Sequence, residues 1–144
     1  MLNSKQKGNV TELECMLAFM KMGYNVLTPY GDCERYDFVV DINNMLYRIQ
    51  VKTARANENK EYIEFNTSSQ STLNGKKVHY AYNENQIDYF MTYYEQQAYL
   101  IPVQETSVRE KRLRFKPPKN GQVKGITFAK DYELERMVLK IANQ

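Results

Sequence analysis

Apolar and polar positions alternate along this chain with two different periods, and each change of period marks a new element. Over residues 10–22 the apolar side chains Val10, Leu13, Met16, Leu17 and Met20 recur three and four apart, which is one face of a helix. Asn9 or Thr11 is placed to cap its start and Gly23 to end it. A short extended run over residues 24–27 follows, stopped by the breaker-rich segment Thr28-Pro29-Tyr30-Gly31-Asp32. The period then drops to two. Residues 36–41 and 46–52 flank Asn43-Asn44 and predict an antiparallel hairpin. In its second strand Arg48, Gln50 and Lys52 share one face, and Tyr47, Ile49 and Val51 the other.

Residues 61–65 predict a third strand, after which residues 66–85 form a polar stretch with Ser68, Ser69, Ser71, Lys76 and Lys77, expected to be a long functional loop. Residues 89–94 and 98–103 flank Glu95-Gln96-Gln97 as a second hairpin, with Pro102 placing the last strand near a sheet edge. Arg112, Arg114 and Lys116 alternate with Leu113 and Phe115 before Pro117-Pro118, which predicts an edge strand and a loop. The pattern closes on a helix over residues 132–142 with the stripe Leu134, Met137, Val138 and Ile141, and Asp131 as its cap. No internal repeat interrupts this order.

Composition narrows the class. With 144 residues and 42% apolar content there is material for one core, so a single domain over residues 1–144 is expected. Residues 1–7 lack an apolar run fit for a signal peptide and no later segment has the length of a membrane span, so we expect a cytoplasmic chain with no membrane partner. Two cysteines make neither a disulfide framework nor a zinc site; Cys15 reads as a core thiol and Cys33 as a loop thiol. A lone histidine, His79, argues against zinc-hydrolase and triad chemistry. The net charge of +3 says little, but eight basic residues against two acids between Gln104 and Lys130 resemble a footprint for phosphate. Charged edge strands also serve simply to discourage aggregation.

The polar strand face carries the chemistry. Phosphodiester cleavage needs a hard cation held by oxygen ligands on rigid elements. On neighbouring strands, Asp37 and Gln50 would lie roughly 5 Å apart, close enough to share an ion, with the Val51 carbonyl as a third ligand. Lys52, two positions beyond Gln50, would stabilise the attacking hydroxide or the phosphorane-like charge. Because Gln50 is neutral, another acid is needed, and Glu12 on the first helix is the candidate, reaching the metal directly or through water. Tyr80 and Tyr82, beside Lys76, Lys77 and His79, are the tyrosines best placed to touch nucleic acid, the strand tyrosines being ordinary packing residues.

Together these residues resemble the PD-(D/E)xK nucleases, in the branch with Gln at the variable acidic position that includes the group I intron-encoded homing endonuclease of cyanobacteria. Lys7-Gly8 with Glu12, Gly31-Asp32 with Arg35-Tyr36-Asp37, and Gln50-Val51-Lys52-Thr53-Ala54 carry the likeness. Archaeal Holliday-junction resolvases look similar over the same elements. Tyr36 stands where the family motif has proline, and no helical pattern occurs in residues 66–85, where a crossover helix would be expected.

The resemblance implies a mixed α/β core, a central mixed sheet with flanking helices, here with an extra β-hairpin and a C-terminal helix. It also implies Mg²⁺-dependent cleavage of double-stranded DNA, Mn²⁺ substituting, by a homo-oligomer, dimer or tetramer, acting at the nucleoid. The expected site is Asp37, Gln50, Lys52 and Glu12 for catalysis, with Asp37, Glu12, Gln50 and Val51 on the metal. Arg35, Lys76, Lys77, His79, Tyr80, Arg112, Arg114 and Lys116 are expected on DNA. A junction resolvase or restriction-like nuclease fits the same residues, and so does a DNA-binding protein that keeps the fold without cleaving.

Overall fold

The computed structural model describes residues 1–107 and 109–144. Its first helix, α1 (Ser4–Lys21), begins well before the expected start, because Asn3 and Gln6 form a reciprocal cap at 2.9 Å each way. Neither Asn9 nor Thr11 caps it; Thr11 lies inside and donates its hydroxyl to the Lys7 carbonyl. The buried face is also not the expected one. Thr11, Cys15 and Phe19, four apart, are buried, whereas Val10, Leu13, Leu17 and Met20 are 42–63% exposed. The helix does end at Gly23, whose φ of +90° suits a residue without Cβ.

Five strands make the main sheet: β1 (Asn25–Leu27), β2 (Phe38–Ile42), β3 (Met45–Val51), β8 (Tyr89–Tyr94) and β9 (Gln97–Pro102), in the order β1-β2-β3-β8-β9. Only β3 and β8 are parallel. Asn43 and Asn44, with φ of 54° and 70°, turn β2 into β3 as the sequence predicts. Glu95 and Gln96 do the same between β8 and β9, leaving Gln97 in the strand. Pro102 ends the edge strand β9, as expected.

The crossover from β3 to β8 is built from strands rather than a helix. It contains β4 (Arg55–Ala56), β5 (Tyr62–Asn66), β6 (Ser68–Leu73) and β7 (Lys76–Ala81). With β10 (Glu110–Arg114), β4 and β5 form a second sheet, β10-β5-β4, while β6 and β7 pair only with each other. The expected polar loop over residues 66–85 is therefore mostly a hairpin, turned by Asn74 and Gly75 at φ of 52° and 78°. Asn-Gly is a strong hairpin signal; the strands around it lack the apolar alternation that usually accompanies it.

Both faces of the main sheet are covered. Phe38, Val40, Ile42, Ile49, Met91 and Leu100 pack with Cys15 and Phe19 of α1 and with the stripe Leu134, Met137, Val138, Ile141 of α2 (Leu134–Ala142). On the opposite side Phe90, Tyr99 and Ile101 meet Ile63, Phe65 and Leu113 of the second sheet. Asp131 does not cap α2; it lies in the preceding 3-10 turn, paired with Arg136 at 3.5 Å. Cys15 is buried and Cys33 exposed. Among the described residues no helix is long and apolar enough to cross a membrane.

Candidate active site

Antiparallel pairing of Phe38 with Ile49 extends one step to bring Asp37 opposite Gln50. Two hydrogen bonds fix Asp37 there. Its amide donates to the Ile49 carbonyl at 2.8 Å, and its carboxylate accepts from the Val51 amide at 2.7 Å. Beyond Val51, the Lys52 amide donates to the Met91 carbonyl at 2.9 Å, so the parallel β3–β8 pairing holds the lysine's backbone. Its ammonium donates to the Ser68 carbonyl at 3.3 Å and faces the Tyr82 ring at 5.0 Å.

Asp37 is the charge that both Glu12 and Lys52 feel. Burial pushes the Asp37 carboxyl up, against the Val51 amide and Lys52, which lower it. Glu12 is also raised, first by burial and then by the negative charge of Asp37, which places the two carboxylates in one field. Burial lowers Lys52; Asp37 opposes that, and Arg35 adds to it. Next to Glu12, α1 is tied to the segment that follows β3 by Thr53 Oγ1, which donates to Thr11 Oγ1 at 3.5 Å.

Arg35 lies against the same group. Its guanidinium stacks on Tyr82 at 3.9 Å and donates to Ser69 Oγ at 3.3 Å and the Tyr80 carbonyl at 3.4 Å. Tyr82, whose ring edge meets Phe90 at 5.4 Å, is thus a wall between two cations and the core rather than a free loop residue. Ser68 carries no period or motif that marks it in the sequence, and Tyr82, expected on nucleic acid, faces Lys52 and Arg35 instead; both reach Lys52 only because the hairpin folds back to β3.

Other polar and basic side chains, those expected on DNA among them, are distributed differently. Arg48 shares the strand face of Gln50 and Lys52, but Asp88 takes it with contacts at 3.1 Å to both carboxylate oxygens. Asp41 accepts from the Asn44 amide at 2.9 Å and so serves the turn. Lys76, Lys77, His79 and Tyr80 are all on β7 and exposed, with His79 Nδ1 3.3 Å from Ser68 Oγ. Arg112 and Arg114 are on β10, in the second sheet. Arg112 is bound to Glu64 at 3.2 Å and stacked on Tyr62 at 3.8 Å, and Arg114 donates to the Lys116 carbonyl at 2.9 Å. Their contacts are not to the Asp37 group.

Among the described residues no three His, Cys, Asp or Glu side chains converge as a metal cluster. The oxygen groups around Asp37 are its own carboxylate, the Glu12 carboxylate that feels its charge, and, on the strand opposite, the Gln50 amide and the Val51 carbonyl. The Gln50 nitrogen is 3.4 Å from that carbonyl. A half-turn of the Gln50 amide would exchange its nitrogen and oxygen and turn the oxygen toward that side. Hard oxygen donors of mixed charge suit Mg²⁺ or Mn²⁺ and not a soft ion.

Residues 2–135 match the model of a family described as PD-(D/E)XK endonuclease. No curated protein sequence matches the chain. Among solved structures, the bacterial homing endonuclease I-Ssp6803I superposes with a TM-score of 0.79 at 24% identity, over 99% of this chain and 98% of that one. That likeness is one of fold.

Proposed function

The chain belongs to the PD-(D/E)XK endonuclease family, and from that premise we propose that it is a Mg²⁺-dependent endonuclease that hydrolyses phosphodiester bonds in double-stranded DNA, with Mn²⁺ able to substitute. The observation that carries this reading is the placement of Asp37, fixed by the Val51 amide at 2.7 Å and sharing its electrostatic field with the Glu12 carboxylate and the Lys52 ammonium.

Asp37, the Val51 carbonyl and the amide oxygen of Gln50 hold the cation, and Glu12 supplies the second negative charge directly or through water. The chemistry the bound cation supplies is charge neutralisation at the phosphodiester and activation of water for attack. Lys52 does the rest from the protein side. Its ammonium, oriented by the Ser68 carbonyl and the Tyr82 ring, faces the charge that develops on the phosphate. Arg35 adds a second cation on the same ring and contacts the DNA backbone.

The finer reading is an intron homing endonuclease, cytoplasmic and acting at the nucleoid, working through one nuclease domain per chain in a homo-oligomer. Support for the oligomer comes from α1, where Val10, Leu13, Leu17 and Met20 form an exposed apolar stripe that no element of the chain covers among the described residues. The test is plasmid cleavage with Mg²⁺, with linear duplex and synthetic four-way junctions compared. Loss of nicking in Lys52→Ala and Asp37→Asn supports the reading, and preference for the junction would make the enzyme a resolvase. Equal nicking by wild type and Lys52→Ala would falsify the catalytic assignment.

A further inference from the structure

The hairpin β6–β7 belongs to neither main sheet. Each of its strands has six residues, so it extends roughly 20 Å from its root at about 3.3 Å per residue. An isolated two-stranded hairpin is marginal in water, and this one gains little from a core. Cross-strand pairing divides its side chains into two faces. One joins Gln70 with His79 and Thr72 with Lys77; the other joins Ser71 with Val78 and Leu73 with Lys76. All four residues of the first face are exposed, and each offers a hydrogen bond.

Such a face does nothing to fold the chain. Its charge points to a partner, because no Asp or Glu occurs from Asn66 to Asn83 while Lys76 and Lys77 do. Its width fits one as well: the major groove of B-DNA, about 12 Å wide, admits a two-stranded ribbon. At the root, the Ser68 carbonyl holds the Lys52 ammonium at 3.3 Å, and Ser68 Oγ, at 3.3 Å, fixes the His79 ring through Nδ1 and leaves Nε2 free. A polar cavity of about 310 Å³, lined by Asn66, Ser68, Gln70, His79, Arg109 and the acid Glu110 of β10, opens at the foot of this face.

We infer that β6–β7 is a major-groove reading ribbon, whose Gln70–His79 and Thr72–Lys77 pairs contact base edges within about six base pairs of the phosphate at Lys52. The distance follows from the ribbon length and the 3.4 Å rise of the duplex. Gln70 suits the N6/N7 edge of adenine and Lys77 the O6/N7 edge of guanine, while Lys76 on the opposite face meets backbone phosphate. This rests on the DNA reading of the Asp37 site but not on its catalysis.

The test is selection of bound duplexes from a random-sequence library by the full chain without divalent metal, followed by dimethyl sulfate interference, which marks guanine N7 in the major groove and adenine N3 in the minor groove. Wild type should enrich a consensus with guanine N7 interference inside a segment of about six base pairs for each bound subunit. Gln70→Ala with His79→Ala should lose discrimination there by roughly tenfold or more per contacted base. Ser71→Ala with Val78→Ala, on the other face, should keep the consensus. No enrichment by wild type, interference at adenine N3 alone, or an unchanged consensus in Gln70→Ala/His79→Ala each overturns the ribbon. Enrichment without plasmid nicking leaves the ribbon standing and removes the catalytic reading; nicking without a ribbon-dependent consensus does the reverse.

Discussion

The Val51 amide donates to the Asp37 carboxylate at 2.7 Å, so one bond both closes the β2–β3 pairing and aims the acid. It uses one oxygen of the carboxylate. Burial nevertheless keeps Asp37 above its ordinary value, and Glu12 with it. A carboxyl whose folded pKa is raised contributes stability in full below its unfolded pKa, and loses it as pH rises through the folded one. At neutral pH both ionised acids therefore oppose folding. Asp37→Asn should raise the metal-free melting temperature. Added Mg²⁺ should stabilise wild type and not the variant. Calorimetry from about pH 4 to pH 7, with and without metal, checks both.

Lys52 contacts the Ser68 carbonyl and the Tyr82 ring, neither of which offers a charge. Its truncation should therefore leave the fold intact and remove charge stabilisation from the reaction. Lys52→Ala is expected to slow single-turnover cleavage roughly 10²–10³-fold, with DNA affinity changed only a few-fold. An affinity loss equal to the rate loss would mark Lys52 as a binding residue only.

Arg48 and Asp88 hold the start of β8 in parallel register. Besides the side-chain contacts, the Arg48 amide donates to Asp88 at 2.7 Å and its guanidinium donates to the Asn85 and Glu84 carbonyls at 2.7 and 2.9 Å. With side chains about 30% exposed, the pair is shielded enough to matter. Asp88→Ala should cost about 2 kcal/mol in urea unfolding, within the range for charged hydrogen bonds. A cost near zero would reduce the pair to a surface contact.

Tyr99 and Tyr132 set the alkaline limit. Burial, and for Tyr132 also its hydrogen bond to Glu105, pushes both phenols up to about 12 from 10.0. Their folded pKa is raised, so their contribution is full below the unfolded value and is lost as pH rises through the folded one. Stability should fall between about pH 10 and pH 12. Tyr132→Phe should make that fall shallower in urea midpoints measured across the interval.

On α1 the two faces should answer differently. Phe19 is fully buried, and Phe19→Ala should cost about 3–5 kcal/mol. Leu13 and Leu17 are 63% and 48% exposed, so Leu13→Glu with Leu17→Glu should keep the folded circular dichroism spectrum and shift the protein to monomer in light scattering. A monomeric wild type would remove the oligomer from the proposal.

What the sequence determined by itself was whatever repeats locally. Period-two alternation and the pair Asn43-Asn44 specify the β2–β3 hairpin, and that hairpin alone brings Asp37 opposite Gln50 with Lys52 two residues on. The stripe on α2 was equally legible, because one apolar face leaves only one way to pack. Tertiary structure decided the rest, through partners distant in the chain. Helical spacing on α1 fits two faces, and the small Thr11 and Cys15 with Phe19 are the ones that fit the sheet, which turns Val10, Leu13, Leu17 and Met20 outward. Arg48 and Arg112 look equally free in the sequence, yet Asp88 and Glu64, 40 and 48 residues away, bind them. The hairpin at residues 68–81 escaped for the opposite reason: its strands have no buried face, so no apolar alternation announces them, and only cross-strand pairing and the contacts of Arg35 and Lys52 give them a place.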